Sequence, residues 1–150
     1  MENNEKLNVY LNAIYQNTKT AIQSIEDILP KCEDEELKSE LAREEDGYNV
    51  ISKECEAFAK AEKIEEIKDN NWFEKAKLWS SINMSTMMDK SNRKISELML
   101  LGTFMGIITL IKDKYDHQNV SKELDEIAEK LHNFEKDNLE RLIPFLNNKE

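Results

Sequence analysis

At 150 residues the chain is long enough for one domain with a sizeable core. Three glycines and two prolines, with 39% hydrophobic and 35% charged residues, leave little punctuation for strands and suit long amphipathic helices. A formal net charge of −10 repels phosphate and excludes nucleic acid and anionic membrane surfaces as expected partners.

The N-terminus, MENNEKLNVY, is polar and acidic, so the expectation is a cytoplasmic protein without a signal peptide. The first helix is predicted over about 5–29. Leu7, Leu11, Ile14, Thr18, Ala21, Ile25 and Ile28 step by four and three along one face. Pro30 cannot continue the hydrogen-bond ladder and ends it.

The second helix, about 33–68, opens on Glu33, Asp34, Glu35 and Glu36, which complement the positive end of a helix dipole. Its seam is Leu37, Leu41, Glu44, Tyr48, Ile51, Cys55, Phe58 and Glu62. Gly47 lies mid-helix, at a cost of about 1 kcal/mol relative to alanine. Cys32 and Cys55 form no CxxC motif and are expected as buried thiols in a reducing compartment.

Asp69-Asn70-Asn71 breaks the pattern, and Asn71 with Glu74 resembles a capping box. A third helix is predicted over about 72–116, its seam running through Trp72, Ala76, Trp79, Asn83, Thr86, Lys90, Lys94, Glu97, Leu101, Phe104, Ile108, Ile111 and Tyr115. Unbroken, it spans about 65 Å at 1.5 Å per residue. A single long helix, kinked near Asp89-Lys90-Ser91-Asn92, is favoured over a restart capped by Asp89 or Ser91. Leu98 to Ile111 carries no charge and is apolar almost all round. It is shorter than the ~20 residues of a membrane span and predicts a core or interface helix.

The fourth helix, about 120–143, is capped by Asn119 or Ser121, with a seam of Leu124, Ile127, Leu131, Phe134, Asn138, Leu142 and Phe145. Together the four predict a single all-α domain, an antiparallel four-helix bundle.

No catalytic constellation or phosphate-binding glycine loop is present, and neither a cofactor nor a resident metal is expected. A di-iron bundle needs two Glu-x-x-His pairs. One occurs here, Glu129 with His132, and it lies off the seam. Two features remain. Polar residues interrupt the apolar seams: Glu44, Asn83, Thr86, Lys90, Glu97 and Asn138. They form either a register-fixing polar layer or a pocket for a small ligand or ion. The stretch around Leu98, Leu101, Phe104, Met105 and Ile108 predicts a homodimer interface.

The segment WSSINMSTMMDKSNRKISELMLLGTFMGI (Trp79 to Ile107), with YLNAIYQNTKTAIQSIEDILP (Tyr10 to Pro30), resembles small uncharacterised proteins of clostridia and related Bacillota. The resemblance implies a ferritin-like helical bundle in a bacterial cytoplasm and no particular activity. The 62–71 stretch looks short for a ferritin-like crossover, which must run the length of the bundle. The leading expectation is a non-enzymatic bundle acting through self-association or a protein partner. The alternative is a ferritin-like carboxylate-metal or small-ligand protein using the interior polar layer.

Overall fold

The computed structural model describes residues 2–64 and 88–147, and every regular element among them is helical. Four helices pack against one another: α1 (Glu2–Ile28), α2 (Glu35–Ala61), α3 (Asn92–Asp116) and α4 (Lys122–Leu142).

Local chemistry sets most of the boundaries. Pro30 falls in a 3-10 turn, Leu29–Lys31, that closes α1. Asp34 caps α2 by accepting the Leu37 amide at 2.9 Å, with Glu35 and Glu36 in the first turn. Ser121 caps α4 through the Leu124 amide at 3.1 Å.

Two boundaries differ from expectation. The second helix ends at Ala61 rather than running toward 68. Lys63 adopts φ 59°, its amide bonds to the Lys60 carbonyl, and the Ile64 amide reaches back to the Ala59 carbonyl at 2.8 Å. This is a Schellman closure with lysine in the left-handed position usually given to glycine. Nor is a helix over 72–116 continuous. Residues 88–90 are non-helical, the Asp89 carboxylate accepts the Ser91 amide at 2.9 Å, and Ser91 caps a fresh start by accepting the Lys94 amide. A capped restart thus replaces the expected kink, and thirty residues, 62–91, separate α2 from α3.

α1 neighbours α2 and α3, and α4 neighbours the same two, so α2 and α3 sit on a diagonal. Side-chain contacts tie the neighbouring helices together. Tyr15 reaches Glu56 at 3.2 Å, and Tyr48 and Glu54 on α2 meet Glu135 and Lys130 on α4. Tyr10 stacks on His117 at 4.9 Å while Asn17 bonds Gly106. Lys114 pairs with Glu129, and Arg93 bonds the Leu146 carbonyl.

The core follows the expected seams on α1 and α2. Leu11, Ile14, Ile25 and Ile28 are fully buried, as are Leu37, Leu41, Tyr48 and Cys55. On α3 the phase differs. The inward residues are Ile95, Met99, Thr103, Ile107 and Leu110. The expected seam, Leu101, Phe104, Ile108, Ile111 and Tyr115, faces outward. α3 is apolar on two faces, so periodicity alone does not choose which one the bundle covers.

Candidate functional site

Polar residues are buried in the bundle interior, and their membership differs from the expected set. Glu44 and Asn138 are fully buried. Asn83 and Thr86 lie outside the described residues. Lys90 is exposed in the non-helical 88–90 stretch, ahead of the Ser91 cap. Glu97 is exposed and pairs with Lys94 at 3.5 Å, so neither of these two belongs to the interior.

Their places are taken by residues one helical position away from the expected seams. Glu135, next to Phe134, is 1% exposed and accepts the Tyr48 hydroxyl at 3.3 Å. Asn138 donates to the Tyr48 oxygen at 3.4 Å and accepts from Arg43 at 2.6 Å. Arg43 clamps Glu40 through two bonds, 3.2 and 2.8 Å, and Arg141 stands 3.6 Å from the same carboxylate. On the far side, the Asn17 amide donates to the Gly106 carbonyl at 2.9 Å. A Cβ on Gly106 would lie 2.7 Å from a Glu135 oxygen and 3.3 Å from the Asn17 oxygen. All four helices therefore converge on Glu135.

The electrostatics follow from burial. Removal from water pushes the Glu135 carboxyl up to about 8, opposed by the Tyr48 hydroxyl. Burial, helped by the adjoining Glu40 carboxylate, pushes Glu44 up to about 10, while Arg43 and Arg141 pull the other way. Both acids are mainly neutral at pH 7. Both oxygens of Glu44 and one oxygen of Glu135 lack a hydrogen-bond partner. Glu40, held by Arg43, is kept below its ordinary range despite its own desolvation.

Metal-binding chemistry has little to stand on. Among the described residues, no three His, Cys, Asp or Glu side chains come together as a ligand set. Glu129 is engaged by Lys114 at 2.6 Å. Both cysteines are free and buried, and burial pushes the Cys55 thiol up to about 12, so it stays a protonated, unreactive thiol.

The second feature is the outer face of α3. Of the five expected interface residues, Leu98 is turned inward at 8% exposed. Leu101, Phe104, Met105 and Ile108 are 50, 55, 51 and 40% exposed. Ile111 and Tyr115 continue the stripe. Spacings of three and four residues put these side chains on one side of the helix. An open cleft of roughly 900 Å³ adjoins the stripe's C-terminal end, lined by Ile111, Tyr115, Lys122, Asp125 and His132 among others. By length and composition α3 is also apolar enough to cross a membrane, with a mean hydropathy of 1.6 over its best window.

Comparison with protein families, with characterised proteins and with solved structures finds no match to this chain.

Proposed function

We propose that this chain is a non-enzymatic, antiparallel, ferritin-like four-helix bundle that acts by protein association, forming a homodimer along the outer face of α3. The observation that carries the reading is the row of Leu101, Phe104, Met105 and Ile108, each 40% exposed or more on one helix side. Apolar stripes of this kind on a monomer mark association sites. The ferritin-like topology is supported by the cross-links. The contacts between neighbours run in opposite directions, and α2 and α3 lie on the diagonal. The resemblance to clostridial proteins, with a bacterial cytoplasm as the setting, is part of this proposal.

Phe104→Glu tests it. The side chain is 55% exposed, so the fold should survive while association is lost. Size-exclusion chromatography with circular dichroism separates these effects. Unchanged elution of the variant would sink the association reading. Co-sedimentation of the wild type with neutral lipid vesicles would instead assign the stripe to a membrane.

A second reading is favoured by one observation: the unpartnered oxygens of buried Glu44 and Glu135. A small polar ligand or cation in the layer would satisfy them. Glu44→Leu should stabilise the protein if the acid is held there for a ligand rather than for packing. No stabilisation, together with no thermal shift on adding magnesium, manganese or iron, removes this reading.

A further inference from the structure

We infer that the outer face of α3 receives a second copy of this chain in one antiparallel register, in which Glu97 meets the partner's Lys112 at both ends of a shared apolar seam. The inference rests on the association reading above and adds its geometry. Leu101, Phe104, Met105 and Ile108 form the middle of the stripe. Glu97 lies one turn before Leu101 on the same side, and Lys112 one turn after Ile108. Both are exposed. Lys112 makes no ion pair among the described residues, and Glu97 is held only by the 3.5 Å contact with Lys94.

The stripe is therefore palindromic in charge about the point between Phe104 and Met105. A two-fold axis there lays Leu101 on the partner's Ile108, Phe104 on the partner's Met105, and Glu97 on the partner's Lys112. Lys94 comes opposite the partner's Tyr115, whose ring can accept a cation. Parallel pairing instead lays Glu97 on Glu97 and Lys112 on Lys112, placing like charges together at both ends. Sliding the antiparallel pair by one heptad either way sets Lys112 over Phe104 or Glu97 over Met105. Each slide forces a charge against an apolar side chain without a counter-ion, which is costly. Of these arrangements, only the first sets apolar on apolar and opposite charge on opposite charge. The contact is isologous, as a closed dimer requires. Spacings of three and four residues suit the shallow crossing of about 20° that keeps the end charges within reach.

Sedimentation equilibrium on the full chain at low salt tests this with Glu97→Lys, Lys112→Glu and the double variant. Circular dichroism confirms that each is folded. Each single variant should raise the dissociation constant on the order of ten-fold, since two symmetry-related pairs become repulsive, and the double variant should return it to within about three-fold of wild type. Equal dissociation constants for all four proteins would overturn the register while leaving association intact. So would a double variant as weak as the singles. A wild type that stays monomeric at high micromolar concentration would overturn the association reading and the register with it.

Discussion

Tyr48 on α2 donates its hydroxyl to Glu135 on α4 at 3.3 Å, and this contact ties the surface arginines to the centre of the bundle. From Tyr48 the chain of polar contacts runs through Asn138 and Arg43 to Glu40. The buried acids at its inner end, Glu135 and Glu44, dictate how the fold responds to pH.

Glu135 has a folded pKa of about 8 against a reference of 4.5, and Glu44 about 10. A raised carboxyl pKa means the native state holds a proton that the unfolded chain has released. The stabilisation is full below about pH 4.5 and is lost as pH rises through the folded values. At 1.36 kcal/mol per unit, Glu135 alone accounts for roughly 3 kcal/mol between pH 4.5 and 7. Glu40 has the opposite sign, its lowered pKa favouring the fold above its ordinary range. Urea midpoints should fall from pH 5 to pH 9, and Glu135→Gln should remove much of the fall. A midpoint equally pH-dependent in the variant would contradict this assignment.

Tyr48→Phe keeps the ring packed edge-on against Phe134 but strips both Glu135 and Asn138 of a partner. The expected cost is about 1–3 kcal/mol, read from denaturant unfolding at pH 7. A loss below about 0.5 kcal/mol would mean the hydroxyl is not part of a working network.

The glycines of α2 and α3 should respond in opposite directions. A Cβ on Gly47 would lie 2.1 Å from the Phe134 ring, whereas one on Gly102 meets nothing within 4 Å. Gly47→Ala should cost about 1–3 kcal/mol by displacing the ring. Gly102→Ala should gain about 0.5–1 kcal/mol from helix propensity. Thermal unfolding of the two variants side by side checks the signs.

Lys63→Gly should stabilise the protein by about 1 kcal/mol, because lysine holds φ 59° at the α2 terminus and glycine adopts that conformation without steric penalty. A destabilised variant would place the helix end elsewhere.

These residues also show what was legible in the sequence. Leu37, Leu41, Glu44, Tyr48, Ile51, Cys55 and Phe58 all face the interior, as their spacing predicts, because α2 has a single apolar face. α3 has two, and only the neighbours decide that Ile95, Met99 and Leu110 go inside while Leu101, Phe104 and Ile108 stay out. Glu135 is hard to read from the sequence because it adjoins Phe134, an equally plausible inward residue. Its signal was the phase set by Leu124, Ala128, Leu131 and Asn138, which places position 135 on the same side. The end of α2 was hidden by its unusual terminator. A lysine in the left-handed region leaves no compositional mark.

On the proposal above, a second copy covers the outer face of α3. Light scattering across a concentration series of the purified full chain tests it most directly. The predicted result is a mass rising from 17.6 kDa toward twice that value as concentration enters the micromolar range. A mass fixed at 17.6 kDa up to high micromolar concentration would contradict it.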